Sequence, residues 1–389
     1  MTVAPVALTP AAVRDALQRR GMNPVRAEAA ARGLTPATVV LDALDQEARD
    51  RVALAAHEQG IAYLTGDGWV LVSAPAAQLA GLVRPARGVL DGPLAAELGR
   101  TLRGLTEPPT VWETARGDIA LDRPVVVGIL NITPDSFSDG GTYLEPAAAL
   151  RHAESMVAAG ADMLDIGAES TRPGLPDPVP ADEEWRRLAR VLPELVRRFP
   201  ETPLSIDTVK AETARRALDA GAWAVNDVSG LRFDPGIGEV CAAHGAGLIL
   251  MHSRGALSEI ASYLHAAYDD VVADVVRELR AALRVADERD VPAARIVVDP
   301  GLGFGKLPEH NYAVLRGLSA FASLPHPVMV GPSRKRFLGA VTGNGPGERD
   351  NATAAACVAA YGAGAQLFRV HAVAQVREAL DIAAAIRSA

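Results

Sequence analysis

The chain has 389 residues, of which 39 are basic and 47 acidic, giving a net charge of −8. Hydrophobic residues make up 49% and charged residues 22%, enough for a large core, which excludes an intrinsically disordered, collagen-like or coiled-coil chain. The acidic balance excludes a nucleic-acid binder that works through bulk charge, and two cysteines, Cys241 and Cys357, exclude a disulfide scaffold or a thiolate metal cluster.

Residues 1–107 read as a small α/β domain. Met1 to Asp15 lacks the basic segment and apolar run of a secretory signal, so a cytoplasmic protein is expected. Thr9-Pro10 forms a cap and first-turn proline for a short helix ending at Gly21. A second helix is expected over Asp45–Gln59, stopped by Gly60. Ile61–Thr65 and Trp69–Ser73 are strand-like and joined by Gly66-Asp67-Gly68, a hairpin signal. Helices are expected near Ala76–Val83 and Leu94–Leu105. No chemical motif lies in this segment, and Thr106-Glu107-Pro108-Pro109 reads as a linker.

From residue 108 onward the rhythm changes. Val111–Leu121, with Arg116-Gly117-Asp118 at its middle, reads as a hairpin placed to cover the closed end of a barrel. Eight short apolar runs then follow as strands: Val125–Leu130, Asp162–Ile166, Leu204–Asp207, Ala224–Val228, Gly247–Met251, Arg295–Asp299, Val328–Val330 and Gln366–Val370. Helices are expected near 145–159, 181–198, 210–220, 234–244, 261–289, 309–321, 348–362 and 373–387. Eight βα repeats predict an α/β protein with a (β/α)8 TIM barrel over 108–389, preceded by the small N-terminal α/β domain. A doubly wound open sheet is the alternative, but no GxGxxG follows the first strand. The longest uncharged stretch, Asn351–Phe368, is built of small residues and reads as a packed helix and turn, not a membrane span.

In such a barrel the active site forms at the C-terminal ends of the strands. Asp207, Asn226 and Asp299 lie within or end otherwise apolar strands. A buried charge there is costly unless paired, and two carboxylates with an amide suit a ligand rich in N–H donors, such as a guanidine-like or pteridine edge. Arg172, Lys335, Arg369 and His371, with Thr171 and Ser333, form an anion-binding theme on the same rim. Gly140-Gly141 and Gly301-x-Gly303-x-Gly305 allow close backbone approach to a ligand. Asn131 is a candidate to help position a divalent cation that takes phosphate oxygens as further ligands. The chain keeps only three lysines, Lys210, Lys306 and Lys335. All three fall on this face; Lys335 is the functional candidate, while Lys210 and Lys306 read as beginning helices. His252 ends an apolar strand and reads as structural.

The fragments GILNITPDSFSDGG, DIGAESTRPG, SIDT, NDVSG, MH, DPGLGFGK, GPSRKRFLG and RVH, in this order over about 110–389, closely resemble the dihydropteroate synthase family. The resemblance implies condensation of 6-hydroxymethyl-7,8-dihydropterin pyrophosphate with 4-aminobenzoate, giving 7,8-dihydropteroate and pyrophosphate for folate biosynthesis. It implies a Mg²⁺-assisted, carbocation-like path. By position, it assigns Asp207, Asn226, Met251, Asp299, Phe304 and Lys335 to the pterin. It assigns Asn131, Arg369 and His371 to the diphosphate, with Asn131 also at the metal, and Phe137, Thr171, Arg172, Pro173 and Ser333 to the aminobenzoate. Catalysis is expected to fall on Asn131, Arg172, Lys335, Arg369 and His371. The implied partners are the two small-molecule substrates and a second copy in a homodimer, with no nucleic acid and no membrane. Arg254 and Ala372 depart from the usual forms. Two other readings are a pterin-binding methyltransferase acting on methyltetrahydrofolate, which would need no pyrophosphate site, and a non-catalytic pterin-binding homologue, which predicts decay of the anion-site residues.

Overall fold

The computed structural model describes residues 14, 17–18, 21–27, 30, 36–41, 44–83, 92–132, 146–169 and 179–388. The chain divides into two compact units, Met1–Pro108 with Ala322–Pro325, and Pro109–Phe321 with His326–Ala389.

The first unit carries a three-stranded antiparallel sheet of β1 (Pro36–Leu41), β2 (Ala62–Gly66) and β3 (Trp69–Pro75), in the order β1-β3-β2. Asp67-Gly68 makes the turn between β2 and β3, with Gly68 at φ +73° as a tight hairpin requires. Helix α1 (Gln46–Glu58) starts at Asp45, whose carboxylate accepts from the Ala48 N–H at 2.7 Å. Short α2 (Ala76–Leu79) and longer α3 (Gly92–Thr106) follow. Val52, Val70, Val72, Leu79 and Leu98 form the core between sheet and helices. The strand β1 is absent from the sequence reading. It opens on a proline and alternates over only six residues, and its pairing with β3 joins positions 29 to 39 residues apart. The helix expected from Thr9-Pro10 lies mostly outside the described residues.

The second unit opens with the expected hairpin, β4 (Val111–Glu113) and β5 (Asp118–Ala120). Eight parallel strands follow among the described residues: β6 (Val125–Asn131), β7 (Met163–Gly167), β8 (Leu204–Asp207), β9 (Ala224–Asp227), β10 (Gly247–Met251), β11 (Ile296–Asp299), β12 (Met329–Val330) and β13 (Leu367–Val370). Each pairs with the next in sequence, β13 pairs with β6, and a Val298–Val328 bridge joins β11 to β12. The sheet therefore closes into a TIM barrel. Continuous apolar runs, rather than alternation, fit strands buried on both faces.

The hairpin drives Trp112 into the N-terminal end of the barrel, where it packs against Val125, Met163, Ala224, Ile249 and Val297. Its indole N–H donates to the Arg295 carbonyl at 2.9 Å. A Cβ on Gly247, the first residue of β10, would lie 2.6 Å from the ring, so glycine there makes room for the plug. With that end filled, the cavity opens at the other.

Helices α4 (Pro146–Ala158), α5 (Ala181–Leu188), α6 (Leu192–Arg198), α7 (Ala211–Asp219), α8 (Gly236–His244), α9 (Val271–Asp287), α10 (Pro308–Arg316), α11 (Arg336–Thr342), α12 (Asp350–Gly362) and α13 (Val373–Ser388) connect or follow the barrel strands. Three differ from expectation. The helix expected over 261–289 starts only at Val271, because Asp270 caps it by accepting from the Val272 and Ala273 N–H groups. The 181–198 segment breaks into α5 and α6, with Pro193 in the first turn of α6. Helix α11 was not expected; it is one short turn pair, closed by Gly343 in the left-handed region. Among the described residues no helix is long and apolar enough to cross a membrane.

Candidate active site

The C-terminal ends of the barrel strands enclose a cavity of about 780 Å³. Its walls include Asn131, Asp207, Asn226, Met251, Asp299, Phe304, Ser333, Lys335, Arg369 and His371. Ten of the fourteen candidate residues thus share one cavity. The other four, Phe137, Thr171, Arg172 and Pro173, lie outside the described residues.

At its centre is a residue the sequence reading passed over. Asp165, in the middle of β7, is fully buried. Its Oδ2 accepts from Arg369 Nε at 2.5 Å and from Asn226 Nδ2 at 3.1 Å, and its Oδ1 accepts from Ser205 Oγ at 2.6 Å. Arg369 Nη2 donates to Asp207 Oδ2 at 2.7 Å. One guanidinium is thus held between two carboxylates, and Asn226 is oriented by the same hub. The orientation leaves Asn226 Oδ1 buried with no hydrogen-bond partner among the described residues, an acceptor that a bound donor would satisfy. The next residue, Asp227, points the opposite way, as strand alternation requires. It accepts from the Ser229 and Leu231 N–H groups and shapes the turn that follows.

The electrostatics follow from burial. Burial pushes the Asp299 carboxyl up to about 6, against the Gly301 N–H and the nearby cations that favour its charged form. Asp207 is pushed up to about 7 by burial, and Asp165 adds to the rise while Arg369 opposes it. For Arg369 itself, burial works against the charge, but Asp165 and Asp207 outweigh it and the net direction is up. The two sides of the Arg369–Asp207 pair therefore point apart. We take the guanidinium as permanently charged: one guanidinium shared by two acids leaves a shortage of positive charge that falls on Asp207. Burial lowers Lys335 to about 8. Its ammonium sits 3.8 Å from the centre of the Phe304 ring. Asp207 and Asp299 put two buried carboxyls on the wall of this cavity, with Lys335 and Arg369 close to them, so the wall suits a ligand that brings N–H donors or develops positive charge there.

The glycine turn after β11 carries that aromatic wall. Gly301, Gly303 and Gly305 all have positive φ, and a Cβ on Gly301 would lie 1.9 Å from the His252 carbonyl oxygen. Gly301 N–H donates to Asp299 at 2.7 Å. On the rim, Ser333 Oγ accepts from the His371 N–H at 3.1 Å and lies 2.9 Å from His371 Nδ1. Burial and then Arg369 hold the His371 imidazole down at about 3, so it is neutral.

Two lysines expected to begin helices do more. Lys210 stands at the start of α7, but its Nζ donates to Glu169 at 2.5 Å and to Glu184 at 3.1 Å. Glu169 also accepts from the Val179 N–H at 2.7 Å. Lys306 is fully buried behind the glycine turn. Arg254, a departure from the usual form, forms a charged pair with Glu278 and stacks 3.9 Å from the Tyr268 ring centre.

Among the described residues no group of three or more His, Cys, Asp or Glu side chains could hold a metal ion. Asn131 offers a single amide oxygen. That donor set suits only a cation taking most of its ligands from phosphate oxygens and water, as Mg²⁺ does.

Comparison with known proteins agrees with this geometry. The family of pterin binding enzymes matches residues 127–371. The dihydropteroate synthase of Bacillus subtilis is 39% identical over 255 residues, covering 66% of this chain and 86% of its own length. That of Escherichia coli is 39% identical, covering 69% and 94%. Among solved structures, Xanthomonas albilineans dihydropteroate synthase with 4-aminobenzoic acid is 41% identical with a TM-score of 0.66, covering 72% of this chain and all of that one. The Burkholderia cenocepacia enzyme complexed with 7,8-dihydropteroate is 41% identical with a TM-score of 0.64, covering 72% and 97%. A barrel whose strand ends gather acids, an orphaned amide and buried cations, matched along nearly its whole length by these enzymes, belongs to the dihydropteroate synthase family of pterin-binding enzymes.

Proposed function

We propose that the barrel mouth condenses 6-hydroxymethyl-7,8-dihydropterin pyrophosphate with 4-aminobenzoate, giving 7,8-dihydropteroate and pyrophosphate. The bond from the pterin methylene to the diphosphate oxygen breaks. A bond from that carbon to the arylamine nitrogen forms, and the amine gives up one proton. The observation that carries the reading is the set of acceptors on one cavity wall: the Asp207 and Asp299 carboxylates and the unpartnered Asn226 Oδ1. The amino and ring N–H donors of a pterin edge match them. Met251 and Phe304 give the ring an apolar bed, and Lys335 stands above it.

The same arrangement supplies the chemistry. As the diphosphate departs, positive charge develops on the methylene and the pterin ring. The buried carboxylates of Asp207 and Asp299 on that wall stabilise it. At the rim Arg369, His371 and Asn131 hold the leaving diphosphate. Arg369 keeps its position because Asp165 and Asp207 bind it from below. Asn131 would help hold a magnesium ion, which would supply neutralisation of leaving-group charge. Ser333, with Phe137, Thr171, Arg172 and Pro173, is assigned to the aminobenzoate. We assign the reaction to residues 108–389 of a cytoplasmic homodimer, and no part of it to residues 1–107.

The test is turnover. The purified chain with both substrates and Mg²⁺ should release pyrophosphate and form 7,8-dihydropteroate in equal amounts. Pterin binding with no pyrophosphate release would favour a non-catalytic homologue. Methyl transfer from methyltetrahydrofolate would favour the methyltransferase.

A further inference from the structure

Lys306 is the buried charge that this mechanism leaves unused. It is fully inaccessible, and an ammonium in that position is costly unless each N–H finds an acceptor. Its Nζ reaches three groups: the Gly301 carbonyl at 3.1 Å, the Phe304 carbonyl at 3.1 Å and His252 Nδ1 at 2.8 Å. Two of these belong to the glycine turn that forms the pterin-side wall. The third leads away from the cavity. His252 Nε2 lies 3.0 Å from Glu278 Oε2, and Glu278 is paired with Arg254.

We propose that Lys306 is a positioning residue for the pterin pocket, holding the Gly301–Phe304 turn closed, and that His252 and Glu278 fix it in place. The proposal rests on the pterin reading above. The donor and acceptor inventory narrows the charge states to two, related by one proton. A carbonyl only accepts, so the amine must donate to Gly301 and Phe304. Glu278 as a carboxylate only accepts, so the proton of a neutral His252 sits on Nε2. That leaves Nδ1 as an acceptor, which the third ammonium hydrogen fills. A charged Lys306, a neutral His252 and an ionised Glu278 satisfy every group; moving one proton from Lys306 to His252 would satisfy them too, and the weak basicity of the buried imidazole selects the first arrangement. Burial, followed by the charge of Lys306, pushes His252 down to about 3. Burial alone would raise Glu278, but the bonds from His252 and Arg254 outweigh it and bring it to about 2. Both shifts agree with the assignment, while burial lowers Lys306 itself to about 7, so its charge depends on the three bonds it makes.

The function of the bond set follows from the backbone it holds. Three glycines at positive φ within five residues form a turn with no helical or sheet bonds of its own. Other side chains hold it at three further points: Asn311 Oδ1 accepts from the Gly303 N–H at 2.7 Å, Asp299 accepts from the Gly301 N–H at 2.7 Å, and the Tyr268 hydroxyl donates to the Gly305 carbonyl at 3.0 Å, but the Phe304 carbonyl is held by Lys306. Without Lys306, the Phe304 carbonyl loses its ammonium donor, and the ring beneath Lys335 loses its fixed height. Arginine, the usual cation of this chain, is planar and forked and cannot point three donors along the arms of a tripod. That accounts for a lysine being kept here.

The experiment uses the full chain. Lys306→Met should raise the KM for pterin pyrophosphate about tenfold or more, with the 4-aminobenzoate KM within about twofold and kcat largely kept at saturating pterin. Glu278→Gln, at the partly exposed end, should raise the same KM about threefold. An unchanged pterin KM in Lys306→Met, or an equal rise in both KM values, would overturn the positioning role. Nitrogen-15 spectra of the wild-type histidines decide the arrangement without turnover. His252 should stay neutral and protonated on Nε2 between about pH 6 and 8. A proton on Nδ1, or an imidazolium, would overturn it even if Lys306→Met fails to fold. An inactive wild-type chain with the expected spectrum would sink the functional reading and leave this arrangement standing.

Discussion

Replacing Asp165 by asparagine removes one charge from the centre of the site and almost nothing else. The carboxamide oxygen can take the Oδ2 position and accept from Arg369 Nε and Asn226 Nδ2. The amide nitrogen then faces Ser205, whose hydroxyl can turn and accept. Geometry survives, and the buried guanidinium loses one of its two counter-charges. Breaking a buried ion pair costs about 3–5 kcal/mol. Arg369 keeps Asp207, so Asp165→Asn should lie near the lower end, about 3 kcal/mol. For a domain of this size that lowers the melting temperature by roughly 5–10 °C. The freed guanidinium should also lose its fixed position, reducing kcat/KM for the pterin substrate about 10–100-fold. Calorimetry of the barrel transition and steady-state kinetics read the two effects. A melting shift under about 2 °C with unchanged kinetics would refute the role of Asp165 as the anchor of Arg369.

Other expectations follow from separate parts of the molecule. Trp112→Ala empties the barrel floor and should cost about 3–5 kcal/mol in thermal or denaturant unfolding, while the KM values of the remaining folded enzyme stay within about twofold. Gly301→Ala would put a methyl group onto the His252 carbonyl and should abolish pterin binding in a calorimetric titration. Gly303→Ala meets only the flexible Lys335 side chain and should weaken that binding by about 1–3 kcal/mol. The raised Asp299 carboxyl predicts a pH effect: ionised above about 6, it accepts from the pterin, and below that it is protonated. Pterin affinity should therefore fall as pH drops through about 6, and this step should be missing in Asp299→Asn. The folded-state sign is opposite, because a carboxyl raised above its unfolded value makes the unliganded protein less stable as pH rises toward 6.

The barrel and most of its mouth are readable from residue order alone. Short apolar runs that contain or end in Asp207, Asn226 and Asp299 announce both a strand and the cost of burying that side chain. Asp165 carries the same signal, flanked by Leu164 and Ile166, and like Asn226 it sits inside its strand, but its importance lies in partners from three other strands. Lys306 was unreadable for a related reason. Next to a proline-led helix it looks like a first-turn cation, and its burial depends on His252, 54 residues earlier. Helix α9 starts late because a single aspartate cap outweighs ten residues of permissive composition. Local pattern thus reports elements and exposed chemistry, while buried charge networks depend on contacts that only folding creates.

The central claim is that tips of separate strands hold one pterin ring. The most direct measurement is a crystal structure of the chain with a bound dihydropterin. The account predicts the ring between Met251 and Phe304, its N–H edge within hydrogen-bond distance of Asp207, Asn226 Oδ1 and Asp299, and its methylene arm toward Arg369 and His371. A pterin bound elsewhere, or one held in this cavity without contact to those three acceptors, would contradict it.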